Sequence, residues 1–298
     1  MFLVKQIRVN IEMVSFKMKN KIKNLYLLLA LFCFLITCIP VLCKEPITLG
    51  KGIWINIWNY PSNPDMYCEY LKSKGIDTIY LQISRSNTPA IKHPEKLNQI
   101  IESAHTREIK VIGWTYSFLK DPISDARKFI TAALYKTPKR ESLDGMAADI
   151  EEVANSHTIE SFAKSIRQVL GKDYPLIAIT FSPLSKSRKA NPMYYGWKTI
   201  ANNFDIIAPM TYWHGFVKYR SEQGAYDYTT KTISKLKEIT KKDDLKIHLI
   251  GDGQKTTSQE IIGFLKAAEE HKVNAGVSLY PWYKPKDHQV ETLGKYEF

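Results

Sequence analysis

From residue 52 onward one pattern recurs eight times: a short apolar, β-branched run, a polar loop, then a stretch of helical periodicity. The runs are GIWINIWN (52–59), TIYLQIS (78–84), KVIGWTYS (110–117), GMAADIEE (145–152), LIAITFSP (176–183), IIAPMTYW (206–213), KIHLIGDG (246–253) and AGVSLYPW (275–282). They start 26 to 40 residues apart, room for a strand and its return helix. Alternating strands and helices imply parallel strands joined by right-handed crossovers. Eight such units close most economically into a single α/β domain, a (β/α)8 TIM barrel of about 250 residues. Residues 50–298 number 249, which leaves no second domain. An open doubly wound sheet is the alternative, but it needs a phosphate-binding glycine loop after its first strand. The segment WNYPSNP there has no Gly-x-Gly.

The helices carry their own signals. In 158–171, Ile159, Phe162, Ala163, Ile166, Val169 and Leu170 share one face, and Gly171 stops the helix. Stretches 64–75, 94–108, 122–136, 225–240 and 257–271 read the same way, with Pro64, Pro94 and Pro122 opening three of them.

Strand parity then points to a site. Alternate residues of a strand face opposite sides. Run four places Ala147, Asp149 and Glu151 on one side, and Met146, Ala148 and Ile150 on the other. The apolar side suits the helices, so the two carboxylates are expected inside the barrel at its C-terminal end, where barrel enzymes build their sites. The same parity aims Asn56 and Trp58, then Tyr80, Gln82 and Ser84, into the lumen. Trp114, Tyr116, Thr180 and Ser182 follow, then Met210, Tyr212, Asp252, Tyr280 and Trp282. Carboxylates two apart on a strand lie about 7 Å apart at Cα. In a dry site each raises the other's proton affinity, so one stays protonated as a general acid. Aromatic platforms stack on sugars, and glycoside cleavage needs such an acid. An ion pair with Arg85 or Lys186 is the structural alternative for the carboxylates. No His/Cys/Asp spacing suits a metal, Gly-x-Ser-x-Gly is absent, and neither a metal nor another cofactor is expected.

The run Asp144-Gly145-Met146-Ala147-Ala148-Asp149-Ile150-Glu151 resembles the strand-four signature of family 18 glycoside hydrolases, D-G-hydrophobic-D-hydrophobic-D-x-E. Met210-Thr211-Tyr212 resembles that family's M-T-Y-D on strand six, and Trp282 resembles the Trp that floors its sugar pocket. The resemblance implies a chitinase-like barrel over about 50–298. Glu151 would protonate the glycosidic oxygen. Asp149 would orient a substrate acetamido group, whose carbonyl attacks the anomeric carbon. Tyr212 would hydrogen-bond that group and Trp282 would stack under the sugar. Two positions depart: the middle Asp of the signature is Ala147, and the Asp after M-T-Y is Trp213. The expected sugar contacts are Tyr212, Trp282, Trp58, Gln82, Trp114, Tyr116, Trp213, Asp252 and Tyr280.

Charge and export complete the reading. The chain carries 42 basic and 30 acidic residues, a net +12. Lys5, Arg8, Lys17, Lys19, Lys21 and Lys23 lie before residue 44, against Glu12 alone, so 44–298 holds a net +7. A Lys-rich stretch from Met18 precedes an apolar run at 25–43, the form of a secretory signal. Residues 1–43 are read as a cleaved signal, a lipoprotein leader or an uncleaved anchor. All three place residues 44–298 outside the cytoplasm. Charge without a basic motif makes nucleic acid an unexpected partner. A polysaccharide or cell-wall glycan is expected, bound by a monomer that meets a membrane only through its N-terminal segment. A glycan-binding barrel without catalysis is the alternative. The aromatic loops 183–197 and 213–228 either line the cleft or pack on themselves. Cys68, past the N-terminal cysteines, is read as a buried apolar residue.

Overall fold

The computed structural model describes residues 49–152 and 154–297; the segment 1–43 read as a signal or anchor lies outside the described residues. Eight parallel strands close in sequence order into one barrel. They are β1 (Lys51–Ile55), β2 (Thr78–Arg85), β3 (Lys110–Ser117), β4 (Gly145–Ile150), β5 (Leu176–Phe181), β6 (Ile206–Thr211), β7 (Leu249–Asp252) and β8 (Val277–Tyr280). The helices between and after them are α1 (Pro64–Ser73), α2 (Pro94–His105), α3 (Pro122–Ala133), α4 (Ser156–Leu170), α5 (Trp197–Asn203), α6 (Glu222–Thr240), α7 (Ser258–Glu270) and α8 (Asp287–Gly294). Pro64, Pro94 and Pro122 stand at the first turns of α1, α2 and α3, where the missing N–H costs no bond. Gly171 ends α4 at φ 75°, a left-handed value that glycine adopts without a Cβ clash. Ile159, Phe162, Ala163 and Ile166 of α4 are buried, whereas Val169 is exposed.

Two apolar layers result. The outer one packs strand residues such as Met146, Ala148 and Ile150 against the helices, and Cys68 is buried in it. The inner one fills the lumen with Trp54, Tyr80, Ile112, Trp114, Ala147 and Ile177, among others. Deep in the lumen Trp54 stacks on Tyr80 at 4.1 Å and donates its Nε1–H to Ser278 Oγ at 2.7 Å. His248 bonds Ser278 Oγ at 2.8 Å and Tyr80 OH at 3.2 Å. Burial pushes His248 down to about 4, so the ring stays neutral and the lumen is plugged beneath the cleft.

The N-terminal end repeats a second device in every other unit. A residue at or just before the start of an even-numbered strand bonds a backbone N–H at or near the start of the preceding odd strand. Asp77 accepts from Lys51 N at 3.0 Å, Asp144 from Val111 N at 2.7 Å, and Asp205 from Leu176 N at 2.8 Å. Asn274 accepts from Ile247 N at 3.2 Å. Strand starts are thus clamped in pairs.

His105 ties one clamp to α2. It lies 2.8 Å from Glu141 Oε2 and 3.0 Å from Asp144 Oδ2. Those carboxylates, Asp144 first, push its pKa up to about 9. The unfolded imidazole deprotonates near 6.5, while the folded one keeps its proton to about 9, so this stabilisation is full below 6.5 and lost as pH rises through 9. His105→Gln is therefore expected to destabilise the fold by about 1 kcal/mol at pH 6, because solvent partly screens the pairing. Urea denaturation across pH 6–10 checks it. A deficit that does not shrink with rising pH overturns the charged pairing.

Candidate active site

The C-terminal end of β4 carries the chemistry. Asp149 pairs in register with Tyr116 of β3 and Ile179 of β5, so it faces the lumen. It is 7% exposed, and its Oδ1 has no hydrogen-bond partner among the described residues. Two residues earlier on the same face stands Ala147, fully buried, which offers only a methyl group. Glu151 follows, its carboxyl close enough to that of Asp149 for each to perturb the other. Two buried carboxyls this close favour holding one proton between them over carrying two charges. Tyr195 OH donates to Ile150 O at 2.7 Å and fixes the backbone between the two acids.

Burial drives the electrostatics. It pushes both carboxyls up, and the charge of Glu151 raises Asp149 further. The Asp149 carboxyl first, then Lys189 and Arg85, work against this at Glu151 without cancelling it. Glu152 behaves oppositely. It pairs with Lys189 and accepts from Tyr116 OH at 2.8 Å, which holds it below the usual carboxylate range. Among the described residues neither Asp149 nor Glu151 forms an ion pair with Arg85 or Lys186. Lys186 lies instead over the Phe216 ring at 5.2 Å.

The two acids sit where two lobes of one cleft meet. A cavity of about 340 Å³ runs inward past Trp54, Met210, Ile250, Phe181 and Phe216. A second, of about 360 Å³, runs outward past Asn56, Asn59, Gln82, Arg85, Trp58 and Tyr283. Trp114, Asp149, Glu151, Tyr280 and Trp282 border both. Their rings form a continuous wall. Tyr280 lies 6.5 Å from Trp114, 6.3 Å from Tyr212 and 5.5 Å from Trp282. Burial pushes Tyr280 up to about 12, so its hydroxyl keeps its proton and can donate.

Most expected contacts reach this cleft. Tyr212 lines the inner lobe, while Trp58, Gln82 and Tyr116 line the outer one. Trp58 and Trp282 are 64% and 50% exposed, available as platforms. Gln82 is buried, its Oε1 accepting from Ile57 N at 3.0 Å, so it braces the loop after β1. Asp252 turns one oxygen back to Gln254 N at 3.0 Å and borders neither lobe, which is turn duty.

Several expectations fail. Trp213 is fully buried on the helix side, stacked on Phe264 at 5.1 Å with Nε1–H to Glu260 Oε1 at 3.3 Å. It follows Tyr212 directly, so it takes the opposite face and cannot touch a ligand in the cleft. Thr180 is also misaimed, and Ser182 borders the inner lobe but turns its hydroxyl away from it. The lumen residues of β5 are Ile177 and Ile179, while Ser182 Oγ bonds Thr232 Oγ1 of α6 at 3.0 Å. Both faces of β5 are apolar, so its sequence holds no phase signal. Ser84 fails for another reason. A bulge at Ile83 shifts the register so that Ser84 pairs with Thr115 and Arg85 with Tyr116. Arg85 thereby enters the cleft in its place. The loops are divided. Tyr195 packs on Trp197 at 4.6 Å and Phe216 on Tyr228 at 5.4 Å, but Phe216 also lines the inner lobe.

The barrel is chitinase-like in fold. The chain is similar to a chitinase from Rhizomucor miehei, at TM-score 0.59 and 11% identity over 82% of this chain and 98% of that one. It is similar to a family 18 chitinase from Cycas revoluta in complex with (GlcNAc)3, at TM-score 0.57 and 11% identity over 82% and 97%. A glucosidase from Croceicoccus marinus also matches, at TM-score 0.58 and 8% identity over 83% and 67%. The chain matches no protein-family model and no curated protein.

Proposed function

We propose that this protein is an exported glycoside hydrolase acting on a polysaccharide, with residues 1–43 directing it out of the cytoplasm. The placement of the Asp149 and Glu151 carboxyls, side by side where two aromatic-walled lobes meet, carries this reading. A glycan threads from one lobe to the other, which places one glycosidic bond over the acids. Glu151 gives the shared proton to the glycosidic oxygen as the C–O bond breaks. Asp149 orients the sugar on the inner side. Where that sugar bears an acetamido group, as in the ligand of the Cycas revoluta enzyme, the group's carbonyl attacks the anomeric carbon. Water then completes hydrolysis with Glu151 as base. Tyr212, Tyr280 and Trp282 wall the sugar, and Trp58 extends the platform outward.

A second reading has one observation in its favour. Ala147 leaves Asp149 Oδ1 without a partner, which suits a barrel that binds glycan and no longer cleaves it. Reducing-end release from chitin, peptidoglycan and plant glycans separates the two. Release from at least one polymer is expected; retention of glycan without release over long incubation overturns catalysis.

A further inference from the structure

The two lobes differ in one group. Arg85 lines only the outer lobe, where the β2 bulge delivers it. Its guanidinium lies 4.5 Å from the Tyr116 ring centroid, 5.4 Å from Trp58 and 5.9 Å from Phe118. Three rings surround the group where it borders the cleft. Among the described residues no acidic side chain pairs with it and no acceptor takes its side-chain N–H groups. Asn56 and Asn59, by contrast, are already engaged. Asn56 Nδ2 and Asn59 Nδ2 both donate to Trp282 O at 2.9 Å, and Asn56 Oδ1 accepts from Trp58 N at 3.0 Å. A second cation, Lys92, lies 5.5 Å from the Trp58 ring.

A preorganised fork of unsatisfied N–H donors is the complement of a carboxylate. A neutral chitin strand offers it only hydroxyl and amide-carbonyl oxygens, without the charge or the two-oxygen geometry. We propose that the outer lobe binds a carboxylate-bearing sugar and that Arg85 determines this specificity. The proposal rests on the cleft being a glycan site and names the substrate class. The carboxylate is either a uronate on the ring or a lactyl ether at O3. Lys92 adds long-range attraction for an anionic polymer.

Calorimetric titration of the full chain carrying Glu151→Gln tests this without cleavage. The ligands are an oligogalacturonide, a peptide-free peptidoglycan strand, the carboxyl-reduced form of each, and (GlcNAc)4. At least one carboxylated ligand is expected to bind about 10-fold tighter than its reduced form, a difference of about 1.4 kcal/mol. Which of the two shows the preference identifies the source. Adding Arg85→Gln is expected to abolish the preference, with a much smaller effect on (GlcNAc)4 affinity. Arg85→Lys is expected to restore part of it, as charge without the fork. Equal affinity for native and reduced ligands overturns the proposal. So does a double variant, folded by circular dichroism, that weakens neutral and anionic ligands alike. Carboxylate-selective binding by a wild-type protein that cleaves nothing overturns the hydrolase reading alone.

Discussion

Glu151→Gln is expected to lower glycan cleavage by about 10²–10⁴-fold, the contribution of a positioned acid or base. Gln matches Glu in size, so the cleft keeps its shape and KM is expected to change less than kcat. The physical basis is where Glu151 stands. It lies one residue past β4, bordering both lobes, with burial raising its proton affinity. Its neighbour Glu152 cannot substitute, because Lys189 and Tyr116 hold it ionised. The measurement is reducing-end release by wild type and variant on the best of the three polymers, with Glu152→Gln as the control. Full activity in Glu151→Gln removes Glu151 from the mechanism. A larger loss in Glu152→Gln transfers the role.

The second large effect belongs to Asp149. Asp149→Asn is expected to reduce kcat by about 10²–10³-fold, as when one preorganised charge-stabilising group is removed. The same change is expected to stabilise the fold at neutral pH. The carboxyl titrates near 3.8 when exposed and well above that in the native protein. Above 3.8 the unfolded chain gives up a proton that the native state keeps, so wild-type stability declines as pH rises toward the folded value. Asn has no such proton, and its advantage is absent below 3.8 and grows toward pH 7. Urea denaturation of both proteins at pH 3.5 and 7 reads the difference. A variant less stable than wild type at both pH values would show that Asp149 is structural. Opposite signs on activity and stability are expected of a site that holds a buried, incompletely bonded carboxyl for function.

Ala147 sharpens this. A carboxylate at 147 would share the hydrogen bonding of Asp149 and divide the proton three ways. With a methyl group there, Asp149 Oδ1 stays unpartnered and Glu151 is the carboxyl left to it. The departure from the chitinase-like signature therefore concentrates the proton on the Asp149–Glu151 pair.

The barrel itself was legible in the chain because its cause is local. Each run's length, each proline at a helix start and the β4 parity of Asp149 and Glu151 depend only on neighbouring residues. Helices α5 and α8, of 7 and 8 residues, are too short for periodicity to announce. The clamps of Asp77, Asp144, Asp205 and Asn274 have residues visible in the chain, but their partners lie 26 to 33 positions away.

By itself, then, the sequence determined the number of units, the closure they require and the two acids at the end of β4. Only the tertiary structure decided which side chains share the cleft with those acids. The phase of β5 is invisible where Ile and Leu occupy both faces, and packing between lumen and helices selects it. The bulge that exchanges Ser84 for Arg85 is a mismatch between β2 and β3, a property of two strands and not of either one. Trp213, one residue from Tyr212, is drawn to Phe264 and Glu260 of α7 and leaves the cleft. Chemistry encoded within a strand could be read along the chain; chemistry set by register and by the opposite wall could not.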